Sequence, residues 1–138
     1  MTGVQTCALP ISRPDKPVVA PLDAPFPGFD LLDPVLAELP GETRVVFLMS
    51  PVYQEFLDRE LDPQIIADLP RCKAEVAERA AARPNTTFLD YFHESAISHD
   101  AENFMDTQHF RLNIARLLEA RIAEELKGDV KSASTGDR

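Results

Sequence analysis

Apolar and polar residues follow one another along this chain in blocks whose period changes from segment to segment. Val45, Val46, Phe47, Leu48 and Met49 are five successive apolar residues, bounded by Gly41 and Pro51. A short, β-branched apolar run closed by glycine and proline predicts a strand covered on both faces, as in the centre of a parallel sheet. A second run, Thr86–Tyr91, follows Pro84-Asn85 and predicts another strand. Between the two, Leu69, Cys72, Val76 and Ala80 recur at three- and four-residue spacing, the stripe of an amphipathic helix ending near Arg83. Its start is signalled twice, by Asp62-Pro63 as N-cap and first helical residue, and by Leu69-Pro70 as a restart. Strand, helix and strand over residues 44–91 predict one βαβ unit.

The other elements follow from breakers and spacing. Pro14, Pro17, Pro21, Pro25 and Pro27 make residues 12–29 an extended segment, with at most a short strand at 17–20. Asp33-Pro34 predicts a helix over 33–39, or one begun a turn earlier at Asp30, stopped by Pro40-Gly41. Residues 51–62 read as a loop with a helical turn or two, and 92–109 as a long polar connection. Phe110–Leu126 is the strongest helical pattern: Ile114, Leu118 and Ile122 recur every four residues beside Leu117 and Leu126, with Arg116, Glu119, Glu124 and Glu125 opposite. Residues 30–127 are thus expected to form the C-terminal portion of an α/β domain, and the Ser-, Thr-, Gly- and charge-rich stretch 128–138 a disordered tail.

Composition narrows this picture from outside. The chain has 138 residues and a formal net charge of −9, which argues against a nucleic-acid-binding face. No apolar run approaches the ~18 residues of a membrane span. Two cysteines, Cys7 and Cys72, are too few for a disulfide framework, and Cys72 on an apolar stripe reads as structural. Residues 1–11 are uncharged in an otherwise charge-rich chain and resemble a translated sequencing adapter, a cloning scar or a true N-terminus being the alternatives. On the adapter reading the natural sequence begins at Ser12 and continues upstream of it. Two good strands, where sheets more often have ~4–6, carry the same expectation of further strands upstream.

The chemistry lies in Asn103-Phe-Met-Asp106-Thr-Gln-His109-Phe-Arg111. A carboxylate beside an imidazole fixes the ring tautomer and stabilises the imidazolium formed when the other nitrogen takes a proton. The order strand, helix, strand, polar loop, Asp-x-x-His and terminal amphipathic helix, over residues 44–126, resembles the C-terminal part of the SGNH (GDSL-like) hydrolase superfamily. That resemblance implies a three-layer, flavodoxin-like α/β fold of which only part of the parallel sheet is present. It also implies His109 as general base, Asp106 as its orienting partner, a small-molecule or glycan ester as substrate, and no metal or organic cofactor. A secreted or membrane-anchored location of the longer protein belongs to the same expectation.

The chain departs from that family in lacking the Gly-Asp-Ser-like block that bears the nucleophile, and the glycine and asparagine blocks of the oxyanion hole. Its serines are Ser12, Ser50, Ser95, Ser98, Ser132 and Ser134, none at a Gly-x-Ser turn, and Ser50 is followed by Pro51. The polypeptide is therefore expected to be inactive as an esterase or acyltransferase. The alternative is a non-catalytic α/β binding or scaffold domain. Tyr53, just beyond the first strand, is a candidate lining residue of a substrate pocket, since ligands of α/β proteins gather at the carboxyl ends of strands. Arg111 is a candidate for an anionic group or a surface carboxylate. Asp90, His93, Glu94, His99, Asp106 and His109 include zinc-ligand types, but their spacing matches no standard zinc motif.

Overall fold

The computed structural model describes residues 24–127. The elements in order are helix α1 (Pro27–Glu38), strand β1 (Val45–Met49), a π-helical segment (Phe56–Glu60), helix α2 (Pro63–Ala82) and strand β2 (Thr86–Asp90). A one-turn helix α3 (Ala96–His99), a 3-10 turn (Ala101–Asn103) and helix α4 (Leu112–Lys127) follow. The expected strand at 17–20 and the tail at 128–138 lie outside the described residues.

β1 and β2 pair in parallel, from Val45 opposite Thr86 to Met49 opposite Asp90. Parallel neighbours need a long crossover, and α2 supplies it. Alternation along β2 fixes the layers. The Thr87 hydroxyl donates to Glu125 on α4 (3.1 Å), whereas Asp90 pairs with Lys73 on α2 (2.7 Å). Positions 87 and 90 face opposite sides of a strand, so α4 and α2 cover opposite faces of the sheet. The molecule is a mixed helix-and-strand fold with a small two-stranded parallel sheet between helices.

The apolar core consists of Val52, Val76, Ala80, Leu89, Phe104, Ile114 and Leu118, with the fully buried Pro51 beside Val52 in the chain. The stripe of α2 thus buries Val76 and Ala80 and leaves Leu69 and Cys72 half-buried; that of α4 buries Ile114 and Leu118, while Leu117 and Leu126 stay exposed. β1 corrects the reading of a strand covered on both faces, since all five of its residues are half-buried. Among the described residues it has a hydrogen-bonded neighbour on one edge only, so its other edge and flanking side chains lack cover.

Helix boundaries differ from expectation at three places. α1 begins at Pro27, not at Asp30 or Asp33, and therefore takes up the end of the segment expected to be extended. Proline at the first helical position gives up an N–H that would have no partner there anyway. Asp33 does not cap: its carboxylate receives Nε and Nη2 of Arg79 on α2 at 2.6 and 3.0 Å, and Pro34 lies inside the helix. Phe26 and Phe29 lie under the guanidinium groups of Arg71 and Arg79, at 4.0 and 3.9 Å from the ring centres. These contacts hold α1, which buries no residue of its own. α2 is continuous through Pro70 instead of restarting there; its N-cap is Asp62, as the sequence predicts, accepting from Gln64 N at 2.7 Å. The polar connection 92–109 contains α3, capped by Ser95, and α4 starts at Leu112 because Phe110 is engaged in a β-bridge. No described helix is long and apolar enough to cross a membrane.

Candidate active site

The Asp-x-x-His segment is the tip of a small closed loop. Phe104 and Phe110 form an antiparallel bridge, with Met105 N donating to His109 O and Arg111 N to Asn103 O, both at 2.7 Å. Aspartate suits the turn because its short carboxylate bonds backbone two and three residues on. Asp106 Oδ1 accepts from the backbone N–H groups of Gln108 and His109, both at 2.8 Å. The same carboxylate meets His109 Nδ1, at 2.9 Å from Oδ1 and 2.7 Å from Oδ2. Asp106 therefore closes its own turn and is not the N-cap of α4, which begins six positions later at Leu112.

These contacts set the protonation pattern. The two backbone N–H groups and then the imidazole hold the Asp106 carboxyl below its ordinary range, with slight burial acting the other way. The carboxylate is ionised at neutral pH and only accepts, so Nδ1 carries the proton of the neutral ring. Nε2 is left as the basic nitrogen. It has no hydrogen-bond partner among the described residues, and the His109 side chain is 69% exposed. The pair can take a proton at Nε2 and stabilise the resulting cation.

Tyr53, on the chain leaving β1, reaches the same place. Its N–H donates to Thr107 O (3.1 Å), and its ring lies 5.8 Å from that of Phe104, tilted by 43°. The Thr107 hydroxyl donates to Glu60 of the π-helical segment (3.1 Å). The chain leaving β1 and the Asp106 loop are thus tied together, and between them Tyr53, Phe104, Met105, Asp106 and Thr107 line a shallow hollow of about 230 Å³. Arg111 stands at the base of the same loop. Its Nε donates to the Phe104 carbonyl at 2.7 Å, inside the bridge that closes the loop. Two asparagines complete the support, Asn103 from the motif itself and Asn113, which the sequence did not single out: Asn103 Nδ2 donates to Ile97 O, and Asn113 Nδ2 donates to Asn103 Oδ1. An asparagine amide beside a loop is a generic signal, and nothing local distinguishes Asn113.

No described serine hydroxyl bonds His109. Ser95 and Ser98 cap α3 reciprocally, and Ser98, fully buried, also donates to Ser95 O. The zinc-ligand types are dispersed: His99 pairs with Glu94, Asp90 with Lys73, and among the described residues no three such groups converge. Burial pushes the Cys72 thiol up from its ordinary value, which favours the unreactive protonated form. No protein-family model, curated protein or solved structure matches the chain.

Proposed function

We propose that residues 44–126 are the acid–base portion of an SGNH-type serine esterase or O-acyltransferase, with a three-layer, flavodoxin-like α/β architecture. The observation that carries this reading is the Asp106–His109 geometry: a carboxylate fixed by two backbone N–H groups, His109 Nδ1 facing it at 2.7 Å, and an Nε2 with no partner among the described residues. In that reaction Nε2 takes the proton of a serine hydroxyl as its oxygen attacks an ester carbonyl. The imidazolium, stabilised by Asp106, then returns the proton to the leaving alcohol oxygen. Water or a second alcohol releases the acyl group by the same steps in reverse. None of these steps calls for a metal or organic cofactor. The serine would come from sequence beyond residues 24–127, and the substrate is a small-molecule or glycan ester met in an extracytoplasmic setting. The exposure of the pair, 69% for His109 and 56% for Asp106, favours a second reading, a binding domain in which the loop is only a closed turn.

A serine-directed fluorophosphonate separates these readings. The 138-residue chain is expected to stay unlabelled. The chain extended by its genomic upstream sequence is expected to label at one serine, and to lose both labelling and ester hydrolysis on His109→Ala with its circular dichroism unchanged. Stoichiometric labelling of the 138-residue chain overturns its assignment as inactive, and an unlabelled extended chain overturns the hydrolase.

A further inference from the structure

Thr107, which stands between Asp106 and Gln108, is held at both of its polar ends by the chain that leaves β1. Its carbonyl accepts from Tyr53 N–H at 3.1 Å, and its hydroxyl donates to Glu60 at 3.1 Å. Tyr53 is a firm anchor. It follows the fully buried Pro51 and the buried Val52, and its ring lies against the buried Phe104. Its own carbonyl accepts from Phe56 N at 3.0 Å, which fixes the entry to the π-helical segment that carries Glu60.

Peptide geometry carries this hold to the pair. The Thr107 carbonyl and the Gln108 N–H belong to one trans peptide unit, which is planar, so they point in opposite directions. The Gln108 N–H donates to Asp106 Oδ1 at 2.8 Å. His109 Nδ1 lies 2.9 Å from the same oxygen and 2.7 Å from Oδ2. One continuous row of hydrogen bonds thus runs from Tyr53 N–H through the 107–108 peptide to the Asp106 carboxylate and the imidazole. Turning that peptide would break the bonds at both of its ends. A carbonyl that accepts a hydrogen bond also polarises its own peptide, which makes Gln108 N–H the stronger donor.

We infer that Thr107 is a positioning residue of the Asp106–His109 pair, acting through the 107–108 peptide on the carboxylate and held in place by Tyr53 and Glu60. This deepens the proposed acid–base role, and it rests on that reading only in the use made of Nε2. The segment leaving β1 then determines which nitrogen of His109 carries the proton, although none of its residues touches the ring.

The test reads the neutral His109 ring by ¹⁵N shifts in the 138-residue chain, in mildly alkaline solution, with His93 and His99 as internal references. Thr107→Val removes the hydroxyl, and exchange of the Val52–Tyr53 amide for an ester removes the Tyr53 N–H. In each, the ratio of the Nδ1–H to the Nε2–H form is expected to fall about fivefold, the equilibrium value of one ordinary hydrogen bond. Glu60→Ala should match Thr107→Val, and the double variant should fall no further, because both changes remove the same bond. Glu60 is exposed, so its variants keep the fold. Thr107→Ser and Glu60→Gln retain donor and acceptor and should leave the ratio in place. A merely structural role would lower the urea midpoint and leave the tautomer of the folded chain unmoved. An unchanged ratio in Thr107→Val or in the ester chain overturns the inference, as does a fall in Glu60→Gln equal to that in Glu60→Ala. Fluorophosphonate labelling of the extended chain is a separate outcome. A hydrolase without this positioning labels while the ratio stays fixed, and the positioning without a hydrolase shifts the ratio in a chain that never labels.

Discussion

Asp106 illustrates how one side chain can build a loop and tune a base together. Its Oδ1 takes two backbone N–H groups that the turn would otherwise leave to water, and both carboxylate oxygens face the His109 ring. Asp106→Asn separates the two roles. The amide oxygen still accepts from the backbone, so the loop should persist, but an amide NH₂ facing Nδ1 cannot accept its proton. The imidazole ¹⁵N shifts are expected to move from the Nδ1–H to the Nε2–H tautomer. An unchanged tautomer would show that the carboxylate does not orient the ring. The acid response has a definite sign. The folded pKa of Asp106 lies below the ordinary 3.8, so its contribution to loop stability is complete above that value and is lost as pH falls through the folded one. The Gln108 and His109 amides should therefore keep their protection from solvent exchange down to about pH 4 and lose it together only below it. The Asp-x-x-His pairing was legible in the sequence because an aspartate turn needs only residues within three positions. The arrival of Tyr53 at Thr107, and the capture of the Phe104 carbonyl by Arg111, depend on how distant segments pack, and no local pattern encodes them.

At the scale of elements, strands were read more accurately than helices, and proline explains the difference. Gly41, Pro51 and Pro84-Asn85 bound β1 and β2 so closely that both run where expected. Pro34 and Pro70 look like helix starts but lie inside α1 and α2, because tertiary contacts on either side outweigh a single missing N–H. Pro70 is exposed and, within α2, can donate no backbone hydrogen bond. Pro70→Ala is expected to raise stability by about 1–3 kcal/mol in urea unfolding, less than the full helix-interior difference because proline also restricts the unfolded chain. A loss of stability would mean that the ring itself packs. α1 makes the opposite case, a helix attached mainly by charge. Arg79 bridges Asp33 and Glu75 and lies over Phe29, and Asp33 is held below its ordinary pKa chiefly by the hydrogen bond from Arg79. Arg79→Met should therefore speed amide exchange throughout α1 and leave β1 and β2 protected. High salt should act in the same direction on the wild-type chain. Acid should do likewise only below pH 3.8, since a depressed carboxyl keeps its contribution until it is protonated. Equal exchange gains in the strands would show instead that α1 and the sheet unfold as one unit.

For the molecule as a whole, the decisive quantity is how little apolar surface is fully covered. Eight apolar side chains, Pro51 among them, reach core burial in residues 24–127, while Leu31, Val35, Ile65, Ile66, Met105, Leu112, Leu117 and Leu126 remain exposed. With two strands joined along one edge, neither face of the sheet is large enough to bury more. Domains are stable by about 5–15 kcal/mol, and a core of this size places the molecule toward the low end. Loss of one central side chain should then remove a large share of the total. Leu118 is the sharpest case, because its neighbour provides the control. Leu118 is 3% exposed on the face of α4 turned to the sheet, whereas Leu117, one residue earlier in the same helix, is 42% exposed. The two truncations delete the same atoms from the same element, so helix propensity changes equally and only burial differs. Leu118→Ala is expected to cost about 2–5 kcal/mol, enough to leave a large unfolded fraction or abolish a cooperative transition, and Leu117→Ala under about 1 kcal/mol. Urea unfolding followed by far-ultraviolet circular dichroism reads both. Similar losses for the two variants would mean that the Leu117 face of α4 is also covered in solution. The packing of that helix against a single sheet face would then be an incomplete account of what holds the molecule together.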